Sequence, residues 1–228
     1  MKKSTIIISI ILALIIVDQC LKIWVKTSMY YGQEIPILGQ SWAYLHFVEN
    51  NGMAFGLSIG GEWGKLMLSI FRIVAVFGLI WLIKFLIKQG APLSLLVCFA
   101  MIIAGAIGNI IDSLFYGMIF SESPFHGGEL ATMFPAEGGY SRFLFGKVVD
   151  MFYFPIIDTE VPSWIPYFGG SQFQFFKPVF NLADSSICVG VFSLFIFHKN
   201  FFNSTLEEKE EEAAIESEST RELEENPN

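Results

Sequence analysis

Four long apolar runs set the pattern of the chain, near Thr5 to Val25, Leu66 to Lys88, Pro92 to Tyr116 and Pro178 to Phe202. A hydrocarbon core of about 30 Å takes roughly 20 helical residues to cross, and each run meets that length. Between them lie two segments of another grain, 26–65 and 117–177, rich in Gly, Pro and aromatic residues. Within the first, Trp42-Ala43-Tyr44-Leu45-His46-Phe47-Val48 alternates with the period of a strand. The pattern predicts an all-α integral membrane protein, with four transmembrane helices over residues 1–205 and a small strand-bearing platform at one membrane surface.

Positive charges near the helix ends orient this arrangement. Lys2 and Lys3 precede the first run, Lys84 and Lys88 mark the short link between the second and third, and His198 with Lys199 ends the fourth. All three clusters fall on one side, which places both termini in the cytoplasm and the two long segments on the outer face. The first run begins like a secretory signal, but no small-residue cleavage site follows and the apolar stretch continues past Asp18 to Trp24. Gln19 before Cys20 also breaks a lipobox, so the run reads as a retained helix.

Composition agrees. Of 228 residues, 53% are apolar and 16% charged, against about 25% charged in soluble domains, and the mean hydropathy is +0.54. The net charge of −8 belongs to residues 206–228, where ten of the 22 acidic and two of the 14 basic residues lie, leaving 12 against 12 before them. That tail lacks aromatics and is expected to be disordered or a frayed helix. With no basic stripe to neutralise phosphates, nucleic-acid binding is excluded. Cys20, Cys98 and Cys188 all fall in apolar runs and read as buried hydrophobes, not a disulfide framework.

An ionisable group at membrane depth is costly and is a functional candidate by default. The chain has five aspartates. Asp18 lies about 20 Å along the first helix at 1.5 Å per residue, Asp112 near the outer end of the third, and Asp184 about six residues into the fourth as the 178–202 run is drawn. Asp150, on the outer segment, can reach the same level. Asp158 reads as an exposed loop residue.

Structural roles compete with chemical ones at each position. Asp18 and Lys22, at i and i+4, can form an ion pair that fixes the first helix. Asn109 and Asp112 share a helix face beside Gly105 and Gly108, small residues that admit a neighbouring helix. Asn181 and Asp184 fit an N-cap and a third-position carboxylate at the start of the fourth helix.

Two carboxylates converging at a water-accessible place can share a proton, one serving as general base on water and the other as general acid. Their mutual repulsion raises the proton affinity of the pair. Rival machinery is thin. His46, His126 and His198 are scattered, no His-Glu-x-x-His helix offers a metal site, and Ser185 or Ser186 would need a base that only Lys177 could supply.

Taken in order, several blocks resemble one known family. They are Asp18 with Lys22, then Asn50-Asn51-Gly52-Met53-Ala54-Phe55-Gly56, then Gly108-Asn109-Ile110-Ile111-Asp112, then Val148-Val149-Asp150, and finally Phe180-Asn181-Leu182-Ala183-Asp184. Together they resemble the signature blocks of the lipoprotein signal peptidases, over the chain from the first helix to about Lys199. The resemblance implies a bacterial inner-membrane aspartyl endopeptidase, a monomer among membrane lipids, with its active site toward the periplasm. It would remove the signal peptide from diacylglyceryl-modified prolipoproteins, cutting just before the lipidated cysteine, with no metal or organic cofactor. It also implies a catalytic dyad of Asp150 and Asp184, with Asn50, Gly52, Asn109, Asp112 and Asn181 as supporting or substrate-contacting residues beside Asp18 and Lys22.

Two departures stand out. The family usually has Arg directly after the aspartate of the Gly-Asn-x-x-Asp block, where this chain has Ser113, and Arg142 or Lys147 are candidate substitutes. The segment 117–177 also exceeds the family's usual connection. From another functional class, a proton-coupled transporter or small channel subunit could use the same carboxylates as a relay, although no inverted repeat or broken-helix pair is visible. The acidic tail follows the cytoplasmic end of the fourth helix, at least about 20 Å from the carboxylates and beyond a Debye length of about 8 Å. Truncation after Thr205 is therefore expected to leave precursor cleavage by inserted, folded protein within about twofold at physiological salt, measured by gel shift of a lipidated precursor.

Overall fold

The computed structural model describes residues 2–51, 61–126, 128–155, 157–167, 169–175 and 178–199. The acidic tail, Gly52 and Lys177 lie outside these described residues.

Three described helices are long and apolar enough to cross a membrane. The first, α1 (Lys3–Ser28), turns Ile8, Leu12, Ile16 and Val17 outward while Asp18, Lys22, Val25 and Lys26 are buried. The second, α2 (Gly61–Lys88), likewise exposes Met67, Phe71, Val74, Phe77 and Trp81. Such large apolar faces are tolerated because their solvent is lipid. The third, α3 (Leu93–Ile111), packs against α1, α2 and the last helix and buries most of its length. It runs through a π-helical turn at Asp112–Tyr116 into a last short turn, α4 (Gly117–Ile119), instead of ending at Tyr116 as an α-helix. One extra residue in the turn re-aims the side chains that follow, a feature common at functional sites.

The fourth run differs from its sequence reading. Helix α5 spans Leu182–Phe197, only 16 residues, about 24 Å at 1.5 Å per residue. Residues 179–180 are strand and Asn181 is the N-cap, so Asp184 is the third helical residue and not the sixth. Among the cysteines, Cys98 alone is buried, whereas Cys20 and Cys188 are exposed on the apolar helix surfaces.

The platform is a four-stranded antiparallel sheet in the order β1 (Glu34–Pro36), β2 (Tyr44–Asn50), β3 (Val148–Tyr153), β6 (Val179–Phe180). A register shift between Leu45 and Val48 re-phases β2, so that Val48 faces Asp150 and Asn50 faces Val148. On the other side of β3, Phe152 pairs with Phe180, and β6 runs directly into the cap of α5. A separate hairpin joins β4 (Ile157–Glu160) and β5 (Gln172–Phe175), and Asp158 sits in it opposite Gln174, on a strand and not in a loop. Val25, Met29, Phe47, Tyr116, Phe120, Val149 and Met151 form a core where the sheet meets the helices. A second core, with Leu95, Leu96, Phe99, Ile103 and Ile83, lies among the helices themselves.

Close approach of α3 and α5 depends on two glycines. A Cβ on Gly105 would collide with the Ala183 carbonyl and come within 2.8 Å of Ile187 Cγ1, and one on Gly190 would lie 2.8 Å from the Cys98 carbonyl oxygen. Both obstacles include backbone, which cannot move aside cheaply. Gly105→Ala is therefore expected to destabilise the protein by about 1–3 kcal/mol through overpacking. A lowered thermal midpoint in detergent would show this, whereas an unchanged midpoint would mean that the helices separate without penalty.

Candidate active site

The carboxylates meet where the helices end against the sheet. On α1, Asp18, Gln19, Lys22 and Lys26 lie within two to three turns and all face inward or along the α3 contact. Lys22 is fully buried, with its Nζ 3.0 Å from Asp18 Oδ2, 2.9 Å from Asp112 Oδ2 and 2.9 Å from Asn109 Oδ1. Each anion is then tied to another element. Asp18 Oδ1 accepts the Ala183 N–H at 2.9 Å, in the first turn of α5, where a negative charge complements the helix dipole. Asp112 Oδ2 accepts the Val149 N–H of β3 at 3.3 Å. Gln19 donates to Asp18 Oδ2, to the Gly108 carbonyl and to Asp112 Oδ1, and accepts from the Tyr116 hydroxyl.

A second pair of carboxylates lies beside this scaffold. Asp150 is buried on β3; Asp184 is partly buried at the start of α5. Asn181 joins them. Its side-chain oxygen accepts the Asp184 N–H at 2.9 Å, while its Nδ2 donates to Asp150 Oδ1 at 2.7 Å, to the Val149 carbonyl at 3.2 Å and to Asn109 Oδ1 at 3.1 Å. Asp184 completes a capping box by accepting the Asn181 N–H at 3.3 Å through Oδ2, and its Oδ1 accepts from Asn109 Nδ2 at 2.8 Å. Asn50 Nδ2 donates to Asp150 Oδ2 from the end of β2. Burial, and next the negative charge of Asp184, push the Asp150 carboxyl well above the usual carboxylate range, against the opposing pull of Lys22 and of the Asn181 hydrogen bond.

Of the residues singled out in the sequence, Asp18, Lys22, Asn50, Asn109, Asp112, Asp150, Asn181 and Asp184 thus form one connected network, and Gly52 falls outside the described residues. The two candidate substitutes for an arginine at Ser113 have these contacts. Arg142 stacks over Phe145 with Cζ 4.2 Å from the ring centroid, and Lys147 lies 3.6 Å from Glu122 and 3.9 Å from Glu49. Ser113 itself is buried and donates to the Asn109 carbonyl at 3.1 Å. Gln19 carries no charge, and its place next to Asp18 is its one signal in the sequence. Among the described residues no three His, Cys, Asp or Glu side chains are placed to hold a metal ion.

A family model described as signal peptidase (SPase) II matches residues 10–200. A lipoprotein signal peptidase of Porphyromonas gingivalis is 47% identical over 208 residues, covering 91% of this chain and 88% of the relative. One from Amoebophilus asiaticus is 36% identical over 185 residues, covering 80% and 72%. A solved bacterial membrane enzyme superposes with a TM-score of 0.56 at 23% identity, covering 87% of this chain and 91% of its own, a likeness of fold. With the family match extending from α1 to the end of α5 and taking in every block that meets at the sheet end of the helices, the chain belongs to the signal peptidase II family.

Proposed function

We propose that the protein is a multi-pass membrane aspartic endopeptidase that removes the signal peptide from prolipoproteins, with Asp150 and Asp184 as its dyad. Membership of the family leaves the transporter reading without support. The observation that carries the dyad is Asn181: one side chain caps α5 at Asp184 and donates to Asp150, so the two carboxylates are held on separate elements by a common hinge. The substrate is a diacylglyceryl-modified precursor cut before its lipidated cysteine. Its lipid tails lie against the apolar helix faces, among bilayer lipid, and the enzyme acts as a monomer in the inner membrane. Four spans, both termini cytoplasmic and the sheet at the periplasmic face are the topology we assign, supported by the lysine clusters at Lys2, Lys3, Lys84, Lys88 and Lys199.

The roles within the dyad follow from its surroundings. Asp150, whose carboxyl is pushed up, holds the shared proton. Asp184 is left to act as base and removes a proton from water as the water oxygen attacks the scissile carbonyl carbon. Asp150 gives its proton to the carbonyl oxygen as the tetrahedral intermediate forms. Collapse breaks the C–N bond as one hydroxyl of the intermediate returns its proton to Asp150 and Asp184 passes the proton it took from water to the leaving amine. Asn50, Asn109 and Asn181 hold the carboxylates in place, and Asp18, Lys22 and Asp112 hold the elements that carry them.

Asp150→Asn and Asp184→Asn are each expected to lower cleavage of a lipidated precursor by at least about 100-fold, the scale of a lost general acid or base, while expression and membrane insertion stay near normal. Gel shift reads the result. Near wild-type turnover of Asp184→Asn would reduce Asp184 to a helix cap and remove the dyad. Asp18→Asn is expected to act differently. It takes a charge from Lys22 and costs about 1.5–3 kcal/mol of stability, with a larger effect on the melting midpoint in detergent than on turnover of the folded fraction.

A further inference from the structure

Asn50 is the last residue of β2, and its Nδ2 donates to Asp150 Oδ2. The final pair of the β2–β3 ladder is Asn50 with Val148. Backbone pairing therefore stops at the residue whose side chain reaches the dyad. A strand end is where local opening is cheapest, and a misplacement of about 1 Å near the chemistry can cost about 100-fold in rate. Something beyond the ladder has to hold this residue in place.

Two buried lysines take hold of the residues on either side of it. On α1, one turn beyond Lys22, Lys26 is sealed from solvent and its Nζ donates to Glu49, the residue before Asn50. On α2, the buried Lys65 donates through Nζ to Oδ1 of Asn51, the residue after, at 3.1 Å. Each ammonium has a second partner, and both second partners belong to the 117–147 segment. Lys26 donates to Ser123 Oγ at 2.9 Å, with its Nζ 5.0 Å from the Tyr140 ring centroid. Lys65 donates to the Phe145 carbonyl at 2.8 Å.

That segment is itself fastened by backbone to the π-turn and to α4. The Gly146 N–H donates to the Ser113 carbonyl at 2.9 Å, and the Ser141 N–H to the Gly117 carbonyl at 2.8 Å. Phe145 lies three residues before Val148, and Asn51 directly follows Asn50, so Lys65 bridges the continuations of both strands just past their last pair. A buried ammonium can leave its acceptors only at the cost of an unmet charge. Each lysine therefore keeps its two partners together.

We propose that Lys65 is a positioning residue for cleavage: it closes the open end of the β2–β3 ladder and, with Lys26 on the other flank, holds the Asn50 amide against Asp150. The proposal rests on the dyad assignment above. The 117–147 segment becomes the wall to which the strand carrying Asn50 is pinned, and neither lysine touches the reacting atoms. Lys65 is the position to test. Its removal withdraws a donor from two carbonyl oxygens, whereas removing Lys26 strips the nearer cation from the buried Glu49 carboxylate, a change that endangers the fold.

The test is single-turnover cleavage of a lipidated precursor by the full chain in detergent, with enzyme in excess. Wild type, Lys65→Met, Asn50→Ala and the double variant are compared, and the melting midpoint of each is recorded. Folded Lys65→Met is expected to cleave about tenfold more slowly at saturation, the scale of one hydrogen bond to a charged group, with the half-saturating enzyme concentration within about twofold. In the Asn50→Ala background the same substitution is expected to lower the rate by less than about twofold, because the amide it positions is gone. The full loss in both backgrounds overturns the proposal, since Lys65 would then act by a route that bypasses Asn50. So does a saturated rate of folded Lys65→Met equal to wild type, even with a lowered melting midpoint. Where Lys65→Met does not accumulate as folded protein, or Asn50→Ala shows no turnover, Asn51→Ala cuts the same link from its other end. Amide hydrogen exchange over residues 44–50 then decides: exchange faster than in wild type supports the grip, and unchanged exchange overturns it. Failure of the dyad assignment looks different, as cleavage surviving in Asp150→Asn or Asp184→Asn.

Discussion

Lys22 is the group on which the rest depends. Its ammonium is sealed from solvent and held by Asp18, Asp112 and Asn109, and the two anions reach on to the Ala183 and Val149 backbone N–H groups. One buried charge therefore sets α1, α3, the start of α5 and strand β3 relative to one another. An ion cluster of this kind is a poor source of net stability, because desolvating the charges offsets most of their attraction. What it provides is direction. Apolar contacts among lipid-facing helices are nearly interchangeable with contacts to lipid, whereas an ammonium with fixed partners permits one rotation and one depth of each helix.

Four aspartates of the same chemistry are sorted by this framework into two kinds. Asp18 and Asp112 lie against Lys22 and accept backbone hydrogen bonds, so their charges are consumed in holding the fold. Asp150 and Asp184 are held through asparagines, neutral donors that position a carboxylate without bringing a charge of their own. Asn181 also shows that capping and chemistry are compatible at one residue. The capping box that ends β6 and starts α5 is what brings Asp184 to Asp150, and the short helix that results is its consequence.

The segment after α3 contributes more than length. Gly117, Tyr140, Gly146 and Ser123 pack around the end of α1 and α3, where Lys26 meets Glu49 and Ser123 between the Phe120 and Tyr140 rings. Glu49 precedes Asn50 in β2, so the register of the strand that reaches Asp150 is fixed partly by the residues of the 117–147 stretch.

Period and composition alone determined the broad class. Apolar runs of helical length, the alternating stretch at 42–48 and the lysine clusters are local patterns, and the physics that selects them, burial in lipid and pairing of backbone groups, acts over a few neighbouring residues. The candidate aspartates were legible for the same reason, since a charge within an apolar run stands out. The tertiary structure decided how they combine. Lys22 shows only Asp18 as a partner in the sequence, at i−4, while Asp112 and Asn109 come 90 and 87 residues later and meet it only when α3 packs on α1. The start of α5 could not be read from hydropathy, because Val179 and Phe180 are as apolar as the helix they precede and become strand by pairing with Tyr153 and Phe152. Gln19 acquires its place from contacts across helices, and no local pattern encodes which face of a membrane helix its neighbours will occupy.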